Sequence, residues 1–462
     1  MHIGEVAPSD RKSGGLTKAI ATFAANLDWD TLPQDARLRA RAHLVDTLGA
    51  IIAGLNETVT KVAIDIAGRD AEGYPLPAGL GTVSASSFAM ICGTAAHGIE
   101  LDDGYREGSV HPGAPVVPAL LALAQRASRE GRPFSGAELL TALVAGYEVV
   151  CAMAEAGQPA LRERGFHPTS ATGPLGAATA CAKLMGLDAA GIENACGFAA
   201  SACGGLFAFL EGGADVKRLH GGMAARSGYE SALSARAGIV APRDVIERSS
   251  GWAHAFTGRS VEASLYPARD LRILDCYMKP HACCRHLQPA FEATVELMRE
   301  HSLRAQDVRK IEIDTYRISA HHAQVPWDSF ATAQLSFPYL VYLATNYQDA
   351  GLQRFNDEHR NSPAVAEIAS LLVVRESEEM QARYPAERPC RVTIETIDGR
   401  FTRDRAEASG TREEPISDEA LTQKFLGLVA PALGQEAAER VLKAAWEIEK
   451  AADSSLLLQL AR

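Results

Sequence analysis

Apolar residues recur at helical spacing over Leu16 to Leu27 and over Gln34 to Leu55, with Pro33 placed to open the second run. Val59 to Ala67 predicts a third helix, and Tyr74 to Leu80 a Pro/Gly loop. Phe88 to Ile99 is an apolar helix of small residues. Pro115 to Arg129 predicts the next one, with Pro112 at its start, where a missing N–H costs nothing. Ser135-Gly136-Ala137-Glu138 is a capping box for a long helix to about Ala156. Thr172 to Met185 and Asp188 to Cys203 are helical and rich in Ala and Gly, which lets helices approach closely. Gly221 to Ala237 and Pro242 to Arg248 follow as helices.

The pattern changes near Leu271. Arg272 to Tyr277 alternates like a strand, Leu287 to His301 is helical, and Lys310 to Tyr316 alternates with period two. Arg391 to Ile397, Asp398-Gly399 and Arg400 to Arg405 predict a hairpin with a primed turn. Ser417 to Leu433 and Gln435 to Leu458 return to helix. The expected fold is mainly α with a smaller α+β domain. Residues 1–270 with 406–462 form the helical domain, and 271–405 an inserted α+β domain.

Composition narrows the function. The 462 residues are 47% hydrophobic, enough for a large core. No apolar run reaches the roughly 18 residues of a membrane span. Met1 to Gly15 is polar and lacks the apolar core of a signal. Nine cysteines include no CxxC pair and read as buried thiols of a reduced compartment. The expectation is a soluble, cytoplasmic protein without a membrane partner. A net charge of −11 argues against nucleic acid as a partner.

Chemistry concentrates in four loops and one helix. The first is His97-Gly98-Ile99-Glu100-Leu101-Asp102-Asp103-Gly104-Tyr105-Arg106, closing at His111-Pro112-Gly113. Its acids sit at the unfavourable end of a helix dipole, and Gly104 fits a left-handed cap. Glu100, Asp102 and Asp103 beside His111 suit proton transfer, a solvated helix end or, with no HExxH-like spacing, a weak metal site. The second is Gly165-Phe166-His167-Pro168-Thr169-Ser170, where Thr169 or Ser170 caps a helix whose N–H groups can face a carboxylate. The third, Gly212-Gly213-Ala214-Asp215-Val216-Lys217-Arg218-Leu219-His220-Gly221-Gly222, reads as a glycine-framed cationic loop, without P-loop order. The fourth is Lys279-Pro280-His281-Ala282-Cys283-Cys284-Arg285-His286, a carboxylate clamp whose vicinal cysteines suit a nucleophile or, as easily, packing. In Ser336-Phe337-Pro338-Tyr339, Pro338 would kink a helix and aim the Tyr339 hydroxyl, unless Tyr339 is a core residue. Cations and histidines with one acidic cluster fit a small di- or tricarboxylate: fixed cations hold it while a base removes a proton α to a carboxylate. No dinucleotide, pyridoxal or metal motif is evident, so the expected chemistry needs no cofactor and no metal.

These stretches, in this order, resemble the MmgE/PrpD family. The match runs through His97-x-x-Glu100-Leu101-Asp102-Asp103 with His111-Pro112, then Gly165 to Thr169 with Gly173-x-x-Gly176-Ala177-Ala178. It continues through Asp215 to His220 with Gly251-Trp252, and through Lys279 to His286. The resemblance implies a helical domain from both chain ends, an α+β lid, a site between them and a homodimer. It also implies activities such as 2-methylcitrate dehydration, cis-aconitate decarboxylation or iminodisuccinate epimerisation. By position, His111 and His167 match the family's pocket histidines, and Lys217 and Lys279 its substrate-binding cations, with Arg285 and His286 close by. The family's decarboxylases and dehydratases carry Asp-Phe-Asp-Asp-Thr where this chain has Glu100 to Gly104, and the segment to His111 here adds Tyr105 and Arg106. An extra arginine suits a different anionic group or an isomerisation. The leading expectation is a lyase: His111, helped by Glu100 or Asp102, moves the proton. Lys217, Arg218, Lys279 and Arg285 bind carboxylates, with Arg106, His220, His286 and Tyr339 lining the site, and His167 orients or protonates. The alternative is an epimerase of an aspartate- or succinate-like diacid. A third reading is a metabolite-binding module.

Overall fold

The computed structural model describes residues 15–210, 215–262 and 270–462. The chain is mainly helical with a smaller α+β part. The first helices are α1 (Leu16–Asn26), α2 (Gln34–Gly54), α3 (Thr58–Ala67), α4 (Ala85–Gly98), α5 (Gly113–Arg129) and α6 (Gly136–Gly157). The loop read at Tyr74 to Leu80 holds half of a two-residue ladder, β1 (Tyr74–Pro75) on β2 (Thr82–Val83). Both halves of the α6 capping box are formed, Ser135 to the Glu138 N–H and Glu138 back to Ser135. Among the described residues one helix, α6, is long and apolar enough to cross a membrane. The fold buries 89% of its apolar window, as befits a central core helix.

The helical core continues with α7 (Pro168–Leu184), α8 (Ala189–Ser201) and α9 (Val216–Arg236). Three expectations change here. Lys217, Arg218 and His220 lie in the first turns of α9 and not on a loop. Gly212 and Gly213 lie outside the described residues. Gly221 and Gly222 serve a helix crossing, because a Cβ on either would run into the backbone of α4 at Gly93 or Met90. Pro242 to Arg248 forms turns without a helix, and in place of the strand read at Arg272 to Tyr277 there is a 3₁₀ turn, Arg272–Leu274, with Tyr277 alone in a β-bridge. The alternation that suggested a strand reflects burial of Arg272, whose guanidinium is paired with Glu148 and Glu155.

After α10 (Gln288–Glu300) comes a four-stranded sheet in the order β4-β3-β5-β6. Its strands are β3 (Val308–Thr315), β4 (Leu372–Glu376), β5 (Cys390–Thr396) and β6 (Arg400–Arg405). β3 runs parallel to β4 and antiparallel to β5, and β5–β6 is the expected hairpin. Its tip is Ile397-Asp398, since the Thr396 N–H donates to the Gly399 oxygen. Neither tip residue has the positive φ of a primed turn. Ile311, Ile313, Val392 and Ile394 are buried, and α10 packs over the sheet. Between β3 and β4 lie α11 (Phe337–Asn346) and α12 (Pro363–Leu371). Pro338 is in the first turn of α11, so it starts the helix and does not kink it.

The chain end returns to its beginning. α13 (Asp418–Leu433) packs on α2, with Phe425 and Leu428 over Gly49. α14 (Gln435–Trp446) closes the same side, and the predicted run to Leu458 is broken after it into two short helical turns. Lys424 on α13 donates to Asp46 of α2 at 2.6 Å and to the Leu101 carbonyl at 3.1 Å. The C-terminal helices therefore support the acidic loop after α4.

Candidate active site

The acidic loop is built by a reversal at the end of α4. The left-handed residue is Glu100, at φ +57°, and not Gly104. A non-glycine residue there is uncommon and costs backbone energy. Gly104 has another role. It exchanges two hydrogen bonds with Tyr277, at 3.0 and 2.8 Å, and a Cβ would strike the Tyr277 phenol. This stitch lays the segment carrying Lys279 against the acids.

Four elements then converge. Lys217 from α9 donates to Glu100 Oε1. Lys279 donates to Glu100 Oε2 at 3.2 Å and to Asp102 Oδ1 at 3.4 Å. His97, in the last turn of α4, places Nδ1 2.6 Å from Asp102 Oδ2. His111 Nδ1 lies 2.6 Å from the Asp103 carbonyl oxygen and 3.4 Å from Asp102 Oδ2. A carbonyl only accepts, so Nδ1 of His111 carries the proton and Nε2 keeps its lone pair. The Thr169 hydroxyl accepts from the His111 N–H at 3.2 Å. His167 and His220 face each other Nδ1 to Nδ1 at 2.9 Å, so one donates and the other accepts. His167 also meets the rings of His97, Phe207 and Phe209 at 5.2–5.7 Å.

Electrostatics divide these groups into fixed anions and neutral rings. Burial would raise the Asp102 carboxyl, but His111, Lys279 and His97 outweigh it and hold it well below its ordinary value. Burial pushes His97 down to about 3 and His220 to about 4, the latter aided by Lys217. His111 is lowered by burial against the opposing pull of Asp102. His167 is lowered well below its ordinary value by burial and by its histidine neighbours. Burial and the Lys279 ammonium push Lys217 well below its ordinary value, which makes it a ready proton donor. His111 and Lys217 keep 14% and 16% of their side-chain surface open while Asp102 and His97 keep none, so the approach to the site passes the first two.

Ligand atoms of His97, Asp102 and His111 lie within 4.8 Å of one another, close enough to hold a metal ion. The same oxygens already face Lys279 and two imidazoles, and both lysines oppose a further cation. Proton transfer suits the set better.

The structure thus brings together Glu100, Asp102, His111, His167, Lys217, His220 and Lys279. It places the other expected residues elsewhere. Arg218 lies over the Phe330 ring at 4.9 Å and reaches Gln334 and Asp215 at 3.5 Å. Arg285 is spent on the Ala408 and Ser409 carbonyls, at 2.5 and 2.6 Å, over Tyr277. His286 Nδ1 lies 2.5 Å from the Tyr316 hydroxyl. Arg106 bonds Glu107 and lines a surface groove with Arg405, Glu407 and Glu413. Tyr339 is a core residue whose hydroxyl donates to the Arg354 carbonyl at 2.5 Å. Sequence reasoning gave no role to His97, although it stands in the last turn of α4, directly before the acids. It also passed over His43, whose Nδ1 is 2.9 Å from Asp103 Oδ2, because nothing local on α2 marks it.

Comparison with known proteins bears on this geometry. The MmgE/PrpD N-terminal domain matches residues 18–263 and the MmgE/PrpD C-terminal domain residues 281–448. A cis-aconitate decarboxylase-like protein, oryM, of Aspergillus oryzae is 27% identical, over 97% of each chain. A cis-aconitate decarboxylase of Aspergillus terreus is 26% identical over 98% of this chain and 97% of its own. The human cis-aconitate decarboxylase is 25% identical over 96% of this chain and 94% of its own.

Proposed function

The chain belongs to the MmgE/PrpD family, and from that premise we propose a cofactor-independent lyase acting on a small di- or tricarboxylate. One observation carries the reading. Two lysines from different elements close on a single carboxylate, that of Glu100, beside a neutral histidine with a free Nε2. A substrate carboxylate replacing Glu100 between Lys217 and Lys279 would be held by charge-assisted hydrogen bonds. The carbon beside it would face proton transfer by His111. Asp102, 3.4 Å from Nδ1, would stabilise the imidazolium formed, and the lysines the charge spread into the carboxylate.

Two eliminations fit this arrangement. In a dehydration, His111 takes the α proton and hydroxide leaves the neighbouring carbon. In a decarboxylation of an unsaturated acid, the pair released with CO₂ shifts the double bond, and a proton is delivered to carbon by the same set or by the His167–His220 pair. The names of the relatives make cis-aconitate the first acid to test. An epimerase on a succinate-like diacid shares the abstraction step, and the replacement of the family's aspartate by Glu100 favours keeping it as second reading.

The test is proton NMR in D₂O with cis-aconitate and a panel of hydroxy- and dicarboxylic acids. Release of CO₂ or of an alkene is expected. Deuterium exchange with inversion and no new alkene would move the assignment to an epimerase. A parent protein as inert as His111→Ala and Lys217→Ala across the panel would end the enzyme reading. A homodimer is part of the proposal, and a light-scattering mass of a single chain would overturn that part.

A further inference from the structure

One pair close enough to the site for Lys279 to act on its thiol, and for that thiol to act on Lys217, takes no part in the chemistry above. Cys284 Sγ lies 3.9 Å from His322 Nε2. The other ring nitrogen, Nδ1, is 2.7 Å from the Leu335 carbonyl oxygen, which can only accept. Nδ1 therefore carries the proton and Nε2 offers its lone pair to the thiol. An imidazole held in that tautomer and facing a thiol is how cysteine nucleophiles are activated. The sulfur is also anchored. The Cys284 N–H donates to the Gln334 carbonyl at 2.9 Å, and the Gln334 amide donates to Ile99, next to Glu100, at 2.8 Å.

Seven of the nine cysteines are fully buried, and only Cys284 and Cys203 are partly open. Burial raises the Cys203 thiol. Burial also acts on Cys284, but His322, the His286 N–H and Lys279 overcome it and bring the thiol down to about 6. Among the described residues, Lys217, Tyr316 and Cys283 also sense it.

We propose that Cys284 and His322 form a nucleophilic thiol site for carboxylate-bearing electrophiles, with unsaturated carboxylic acids as its ligand class. The thiol proton passes to His322 Nε2. Sulfur attacks the alkene carbon β to the carboxylate, and an S–C bond forms as the π pair moves to the α carbon. His322 returns the proton to that carbon. The elements of S–H have then added across the double bond, with no change of oxidation state. Lys279 and Lys217 hold the carboxylate meanwhile. The inference rests on the carboxylate-binding part of the proposed function and needs no turnover. An adduct at this position would block the pocket, so the site is a brake that accumulating unsaturated acid applies to the enzyme.

Iodoacetate and iodoacetamide test it, since sulfur displaces iodide from both and only the first carries a carboxylate. Peptide mapping after brief treatment of the parent at pH 6 is expected to find label on Cys284 ahead of Cys203, and sooner with iodoacetate. Maleate is expected to add the mass of one acid at Cys284. In His322→Gln the thiol returns toward its free value of about 8.5, and labelling at pH 6 falls about tenfold once the greater nucleophilicity of the more basic thiolate is allowed for. Label on Cys203 first, equal rates with the two reagents, or an unaltered pH profile in His322→Gln would overturn the proposal. Turnover is scored separately. A protein that labels as expected yet converts no acid sinks the lyase and keeps the thiol site, and active protein with an inert Cys284 does the reverse.

Discussion

His111 is the residue on which the chemistry turns, and its environment fixes how it should respond. The Asp103 carbonyl sets its tautomer, and burial keeps it neutral below its ordinary value. His111→Asn keeps the hydrogen bond to that carbonyl and loses the base, so kcat should fall about 10²–10⁴-fold with KM little changed. Steady-state kinetics decide, and an equal loss through KM alone would assign His111 to binding. A base that must be neutral also gives a profile that rises with pH and has its midpoint below about 6.5, the value for a free histidine. Asp102 favours the imidazolium, so Asp102→Asn should move the acid limb further down. Glu100 lies between two ammonium groups that a substrate would need. Glu100→Gln frees them, and a non-reacting tricarboxylate should bind about tenfold more tightly by calorimetry, a gain of about 1.4 kcal/mol. Unchanged affinity would show that the lysines do not receive the ligand.

Helices α4 and α9 set the spacing of this site, one ending at the acids and the other beginning at Lys217. Their backbones cross at Gly93, Gly221 and Gly222. Gly222→Ala puts a methyl group onto the Met90 carbonyl, which belongs to a helix and cannot swing away. A cost of about 1–3 kcal/mol is expected, seen as a lower urea midpoint at unchanged slope. A wild-type midpoint would mean that α4 and α9 can part without cost. The same glycines explain what the sequence disclosed and what it hid. Helices with local caps, such as α6 and α13, were legible because their signals lie within a few residues. Gly221-Gly222 carries the mark of a loop, although the cause is a neighbour more than a hundred residues away in the chain. The acid–histidine motif was legible for its density. His43, His322 and the fate of Arg285 and Tyr339 were not, because each depends on a partner that only the fold supplies.

At the scale of the whole molecule, the site is held from both chain ends and weighed down by uncharged histidines. Lys424 on α13 neutralises the buried Asp46 and bonds the Leu101 carbonyl. Lys424→Met would strand a buried carboxylate, whose removal of a partner typically costs about 3–5 kcal/mol, and would loosen the acid loop as well. Thermal unfolding with activity at one temperature below the transition would report both. The histidines impose a pH dependence with a definite sign. His97 and His220 are pushed from an ordinary 6.5 to about 3 and about 4, and His167 moves the same way. Between those values and 6.5 the unfolded chain binds protons that the folded chain refuses. The contribution of these rings is therefore complete above about pH 6.5 and is lost as pH falls toward 4, at up to about 1.4 kcal/mol per pH unit for each such group. Asp46 and Glu57, raised by burial, act in the opposite sense, and Asp102 and Glu292, held below their ordinary values, titrate in the unfolded chain only near about 4. Urea midpoints taken at pH 7.5, 6 and 5 should fall in that order. His220→Asn should flatten the fall, because one refused proton has gone. Equal midpoints from pH 7.5 to 5 would mean that these rings are charged in the folded protein, and the neutral base at the centre of the proposed mechanism would lose its footing.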